Sequence, residues 1–374
     1  GIGRILGNAA DNAWHVFYGG DGGYNKIDPG DSQKMYYTYI ISGNVTDSAV
    51  FRSGNGGMNA TNIAPPAAVG VETSMFYPTL FMDAETYQKV ILGFQNVWRS
   101  ADSGSNWTRI GDLRTADGNN ILAVHEAPSS SNMIYAALEG QEGNGVYRLY
   151  VSSTADSGNA ATWTLKNSGL PANQVPTALA VHPTDPNTAY ATFGQFGTDT
   201  AAMLHVFKTT DAGTNWVGIS TGLPDAPFHD ILLDTGAPSN LFAASDIGVY
   251  NSLDSGKTWA RSDVGMPEGA IAHSLHFNSG TRKLVVGSYG RGAFELDIPK
   301  APSTPTGLAG NAMGVSSISW TWNANAGAEN IQSYGLYLPS APTVLVGSVT
   351  TGASRIVTGL TPNTTYSLQI TATN

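Results

Sequence analysis

The chain has 374 residues, no cysteine, a net charge of −10 and only 12% charged side chains. The length allows more than one domain; the missing cysteines exclude disulfides and thiol chemistry; an acidic balance without a basic stripe excludes nucleic acid as a partner. No apolar run approaches the length of a membrane span, and Gly1-Ile-Gly-Arg4 has no signal-peptide core, so any export signal is expected to have been removed.

Helical periodicity is nearly absent, while Gly, Ser, Thr and Asn are abundant, which suits short strands joined by tight turns. Ala13-Trp14-His-Val-Phe17 reads as an orphan strand. From about Gly20 a four-strand unit repeats. Its first strand ends in a turn such as Ile27-Asp-Pro29-Gly or Val181-His-Pro183-Thr-Asp-Pro186. Its second strand is β-branched or aromatic, as in Lys89–Phe94, Thr188–Phe193 and Asn240–Ala244. Its third strand runs into a repeated turn, and its fourth opens with tryptophan: Trp107–Ile110, Trp163–Lys166, Trp216–Ile219 and Trp259–Ser262.

The repeated turn reads Ser-x-Asp-x-Gly-x-x-Trp. Three copies are full: Ser100, Asp102, Gly104 and Trp107; Thr209, Asp211, Gly213 and Trp216; Ser252, Asp254, Gly256 and Trp259. A looser copy is Thr154-Ala-Asp156-Ser-Gly158 with Trp163 delayed, and a decayed one is Ser53-Gly-Asn55-Gly-Gly57. The carboxylate accepts backbone N–H groups, the glycine supplies a backbone angle other residues avoid, and the indole covers the turn. Recurrence at steps of 43 to 55 residues marks a repeat architecture whose units bury their faces by stacking.

Five units lie between about Gly20 and Met266, and a sixth from Ile271 stops one strand short at Pro299. The Trp14 strand is expected to pair beside Gly292–Asp297 and close a ring of six; a larger ring with blades upstream of Gly1 is the alternative. The turns, with Gly19-Gly-Asp21-Gly-Gly23 and Ser245-Asp-Ile-Gly248, resemble the Asp-box, or bacterial neuraminidase repeat, propellers. That superfamily includes sialidases, xyloglucan-cleaving hydrolases, sortilin-type receptors and a photosystem assembly factor. The resemblance covers residues 1–299 and implies an all-β, six-bladed β-propeller.

Beyond the linker Ala301-Pro-Ser-Thr-Pro305, residues 300–374 change texture. Ser317-Ile-Ser-Trp320-Thr-Trp322 alternates, and Leu360-Thr-Pro-Asn-Thr-Thr-Tyr366 reads as a tyrosine corner. This part resembles an immunoglobulin-like fibronectin type III sandwich without its seventh strand. The sixth, Thr365–Ala372, is expected to present an open edge. Gly1–Leu6 of a neighbouring copy, by donor-strand complementation, could fill it and allow self-assembly.

A glycosidase needs two facing carboxylates about 5 to 9 Å apart. The xyloglucanase resemblance implies an Asp acid and an Asp base, and Asp21 and Asp246 are the candidates, with Asp11 and Asp230 weaker. A sialidase wants converging arginines; the ten here are scattered and no Arg-Ile-Pro signature precedes the first turn. The varied loops after the second strands suggest a binding rim of Gln95, Asn96, Gln195, Tyr289 and Arg291. His273 and His276, three apart on a strand, face opposite sides, so no metal site and no cofactor is expected.

These features lead to an expectation of a secreted or cell-surface bacterial protein. Its expected role is structural or adhesive and non-catalytic, within an extracellular assembly, with a polysaccharide or protein partner. The alternative is a polysaccharide-acting glycoside hydrolase resembling the xyloglucanases. A third reading is a soluble assembly factor.

Overall fold

The computed structural model describes residues 2–5, 14–18, 22–28, 30–40, 48–82, 88–140, 147–196, 204–278, 280–298, 302–325, 331–350 and 352–373. They divide into two compact units, Gly1–Ser279 with Leu284–Leu296, and Gly280–Lys283 with Asp297–Asn374. The only α-helix among the described residues is the four-residue Leu113–Ala116.

Among the described residues of the first unit, six antiparallel sheets follow one another after the two-stranded pairing of Ile2–Ile5 with Trp14–Tyr18. Five have four strands in strict sequence order, and the sixth has three, Ala272–Asn278, Lys283–Ser288 and Gly292–Asp297. Each is a meander, so every connection is a short turn. The first strands of successive sheets, from Gly22–Asp28 through Thr79–Phe81, Ile121–Ala127, Pro176–Val181 and Phe228–Leu233 to Ala272–Asn278, each pack beside the next.

The core lies between neighbouring sheets. Leu92 and Trp98 of the second sheet pack on Tyr36 and Val50 of the first. Tyr135 of the third meets Leu179 of the fourth, and Tyr190 of the fourth meets Ile231 of the fifth. Sheets covered on both faces need apolar side chains on both. The second strands Val90–Gly93, Ala189–Phe193 and Leu241–Ser245 are accordingly buried at every position, without the alternation of a half-exposed strand.

The repeated turn binds each sheet to the one before it. Ser100 Oγ donates to Asp102 Oδ1 and accepts the buried Gly104 N–H at 2.8 Å; Asp102 Oδ1 accepts the exposed Asn106 N–H at 2.8 Å. Thr209 with Asp211 and Ser252 with Asp254 repeat this pattern. Two successive residues adopt left-handed angles, Ser103-Gly104, Ala212-Gly213 and Ser255-Gly256; the decayed copy places glycine at both, Gly56-Gly57. The tryptophans do more than cover their own turns. The indole N–H groups of Trp107, Trp163, Trp216 and Trp259 donate to the carbonyls of Ile63, Ile110, Lys166 and Ile219, all at or beyond the last strand of the preceding sheet.

Three expectations change. The Trp14–Tyr18 strand pairs with Ile2–Ile5, Trp14 opposite Ile5, and not beside Gly292–Asp297. The same pairing occupies the segment expected to be donated to a neighbouring copy. In the looser turn the register is two residues earlier. Ser152 is fully buried at the strand end and accepts the Thr154 N–H, while Thr154 Oγ1 accepts the Thr162 N–H as Asp102 does for Asn106. Four extra residues separate the two halves of that turn, so Asp156 and Gly158 do not act as its Asp and Gly. Asp156 instead pairs with Arg99 of the second sheet at 2.8 Å.

In the second unit, Thr306–Gly314, Ser317–Asn323 and Ser354–Thr358 form one sheet, and Ala341–Val349, Ser333–Leu338 and Gln369–Thr373 the other. Trp320, Trp322, Tyr334, Leu336 and Ile370 form their common core. The Tyr366 hydroxyl accepts the Thr361 N–H at 2.7 Å and holds that corner out of the ladder. The last strand therefore begins at Gln369, four residues later than Thr365.

Candidate functional site

The first strands share a further irregularity. The pairing register shifts between Gly22 and Asn25, Ile121 and Ala123, Pro176 and Ala178, and Phe228 and Asp230. A bulge inserts an unpaired residue and re-aims its side chain, and bulges gather beside active sites. In the fifth sheet the inserted residue is His229.

His229 Nε2 lies 2.6 Å from Asp246 Oδ1, just past the second strand of the same sheet. Asp246 is held by its own N–H, which donates to the Pro227 carbonyl at 3.1 Å. The tight return to the third strand needs Gly248 at φ +127°, where a Cβ would strike the Asp263 carboxylate. His229 and Asp246 keep side-chain exposures of 20% and 27%, enough for a ligand to reach both. The His229 ring stacks on His273 of the sixth sheet, centroids 5.3 Å apart and 16° from parallel. Tyr289 flanks His273 at 6.4 Å and is 74% exposed. The repeated turns end the third strands, which run away from this end of the sheets.

Deeper along the first strands, Asp230 Oδ2 accepts the Leu275 N–H at 2.8 Å and its Oδ1 the Ile231 N–H at 2.8 Å. Asp230 keeps partial contact with solvent, yet crowding dominates: desolvation raises its pKa, and the Leu275 N–H, Lys26 and the Ile231 N–H offset this only in part. The Tyr24 phenol keeps 40% exposure, yet crowding around it and then Asp230 push its pKa up, with a Thr79 hydrogen bond opposing. Partial desolvation and then Lys26 lower the pKa of the exposed His276. Lys26 of the first sheet therefore lies near both Asp230 of the fifth and His276 of the sixth.

Asp21 and Asp11 lie outside the described residues. Gln95 donates to the Gly118 carbonyl at 2.6 Å and accepts the Thr73 N–H. Asn96 is 1% exposed. Its N–H and amide donate to Glu72, and its carbonyl accepts the Arg114 N–H. Asn96 therefore ties loops together and is not a rim group, which corrects that expectation. Gln195 and Arg291 are exposed. Among the described residues no cluster of three His, Cys, Asp or Glu side chains is arranged to hold a metal ion. His229 was missed because nothing in the residue pattern announces the bulge.

No family model matches the chain. A xyloglucanase of Hypocrea jecorina (strain QM6a) is 28% identical over 207 residues, 53% of this chain and 22% of that protein. A GH74 xyloglucanase structure from Xanthomonas campestris superposes with a TM-score of 0.51 at 19% identity, covering 80% of this chain and 50% of that one. A GH74 enzyme from Niastella koreensis gives 0.53 at 18%, covering 82% and 51%. The chain thus spans about half the length of these solved structures. The expectation of a non-catalytic structural or adhesive protein is overturned by the sequence relative, which is a xyloglucanase. The chain is an all-β protein with the β-propeller fold seen in the xyloglucanases it resembles.

Proposed function

We propose that this chain is a polysaccharide-acting glycoside hydrolase module of the xyloglucanase type that works outside the cell. The observation that carries this reading is the 28% identity over 207 residues to a xyloglucanase. The arrangement at His229 and Asp246 supports it. Asp246 Oδ1 is engaged by His229, while no described residue bonds its Oδ2, which leaves an oxygen for a water or a glycosidic bond. The stacked His229 and His273 with exposed Tyr289 offer flat apolar surface beside that carboxylate, as a sugar ring requires. Asp21 is the proposed second carboxylate, one of the pair acting as acid and the other as base.

The same reading takes the first unit as a six-bladed Asp-box propeller, supported by the six successive sheets and the repeated turn. It takes residues 300–374 as a fibronectin type III-like module, supported by the two three-stranded sheets and the Tyr366 corner.

The test is release of reducing ends from xyloglucan and from unbranched β-glucan by the purified chain. Asp246→Asn and Asp21→Asn should each lower kcat by roughly 10²-fold or more, the range for a lost general acid or base, with unchanged melting temperature. Absence of release from every polysaccharide offered overturns the reading.

A further inference from the structure

A concavity lies apart from His229 and Asp246, at the outer strands of the second sheet. It encloses about 570 Å³, within the range of roughly 300–1,000 Å³ typical of small-ligand sites. Its lining includes Trp98, Trp107, Arg109, Arg114, Thr115 and Asn159.

Its walls are fixed in advance. Glu72 is 6% exposed, and its carboxylate accepts the Asn96 N–H at 2.8 Å, the Asn96 amide at 2.8 Å and the Trp98 indole N–H at 3.3 Å. Asn96 in turn accepts the Arg114 N–H at 2.9 Å. One buried carboxylate thereby locks three separate segments around the opening. Trp107 gives its indole N–H to the Ile63 and Gly104 carbonyls. Both indoles thus have their polar ends satisfied inside the protein; Trp98 is buried in the core beneath the concavity, and the half-buried Trp107 contributes apolar ring surface to it.

Around those rings stand groups that offer hydrogen bonds without a strong net charge. Arg109 faces Asp112 at 3.6 Å, and both side chains stay about a third or more exposed. Arg114 is exposed, and Thr115 and Asn159 add a hydroxyl and an amide. Flat apolar surface bordered by planar donors and acceptors complements a pyranose, whose C–H face is apolar and whose hydroxyls are equatorial. A purely apolar ligand would strand the guanidinium groups, and Asp112 partly offsets their charge.

The geometry points to a neutral β-linked oligosaccharide bound in this groove, as a secondary site that holds polysaccharide away from the carboxylate chemistry. The class of ligand rests on the polysaccharide reading above; the site itself rests on the concavity. The probes are cellotetraose and xyloglucan oligosaccharides, titrated calorimetrically into the full chain carrying Asp246→Asn, with tryptophan fluorescence as a second readout. Adding Arg114→Ala and Thr115→Ala, both surface changes, should weaken binding of at least one probe by 10-fold or more. Adding Asn159→Trp should obstruct the groove and quench the fluorescence response. Full-strength binding in all three variants overturns the groove, as does the absence of binding by either probe. Retained hydrolysis by Asp246→Asn would instead sink the assignment of that carboxylate and leave the groove standing.

Discussion

His229 Nε2 and Asp246 Oδ1 stand 2.6 Å apart across the mouth of one hairpin, and the ring they fix lies flat against His273 of the next sheet. Partial desolvation first, and then His229, hold the surface-exposed His273 below its ordinary 6.5, while Asp246 works the other way. Removing the Asp246 charge should therefore lower the His273 pKa further, and removing the His229 ring should raise it. Imidazole titration by NMR in Asp246→Asn and His229→Gln checks both signs. The depressed value also sets a stability window. The unfolded chain takes up the proton first as pH falls, so His273 and His276 contribute fully above 6.5 and lose that contribution below it. Tyr289 and Lys26 are the other titratable groups facing this pair.

The hydroxyl, not the carboxylate, carries the buried bond of the repeated turn. Thr209 is 1% exposed and its Oγ1 accepts the buried Gly213 N–H at 2.9 Å, whereas Asp211 accepts the exposed Asn215 N–H. Thr209→Val keeps the shape and strands the donor, at a cost of about 1–3 kcal/mol. Asp211→Ala should cost less, since water can replace the lost acceptor. A larger loss of melting temperature in Asp211→Ala than in Thr209→Val would contradict this ordering. The carboxylates have their own signature in acid. Hydrogen bonds from the Asn106 side chain and N–H and from Ser100 hold Asp102 down at about 2. Such groups contribute above their ordinary 3.8 and lose that contribution as pH falls toward 2.

The repeat was legible because its turn chemistry is local. Ser100, Asp102, Gly104 and Trp107 lie within eight residues, and spacing alone reveals the period. Two parts were not local. The partner of each indole is a carbonyl some 40 to 53 residues earlier, as with Trp259 and Ile219 or Trp163 and Ile110. The shifted turn at Ser152 was obscured because Thr154 replaces Asp and Asp156 nearby imitates it. At the candidate site Asp246 stood out between glycine and serine, but the bulge that brings His229 to it depends on strand register. The strand Thr306–Gly314 was missed because it is Gly-rich and mostly exposed, with little apolar alternation.

Trp259 joins the fifth sheet to the fourth through one hydrogen bond, Nε1 to the Ile219 carbonyl at 2.7 Å, and by packing near Ile219 and Leu223. Trp259→Phe preserves an aromatic ring and removes the donor. The expected loss is about 0.5–1.5 kcal/mol for the bond, plus the packing of the missing ring atoms. Trp216→Phe should lose more, because Trp216 is 3% exposed and sits inside its cluster. Urea midpoints of the two variants at constant slope would test the order, and a smaller loss for Trp216→Phe would refute it.

Asp230 should leave a pH signature opposite to that of Asp102. Desolvation raises its pKa above the ordinary 3.8, against the Leu275 N–H, Lys26 and the Ile231 N–H. The folded chain therefore holds this proton more tightly than the unfolded chain does. Its contribution is complete below 3.8 and is lost as pH rises through the folded value. Asp230→Asn keeps the shape and cannot titrate. It also turns one donor-bearing atom toward Ile231 or Leu275, a fixed cost of about 1–3 kcal/mol at every pH. The melting-temperature difference between the native chain and Asp230→Asn should thus be largest near pH 4 and shrink toward about pH 7. A difference that stays constant across that range would show that Asp230 titrates alike in the folded and unfolded chains. The bonds from Leu275 and Ile231 would then fully offset its burial.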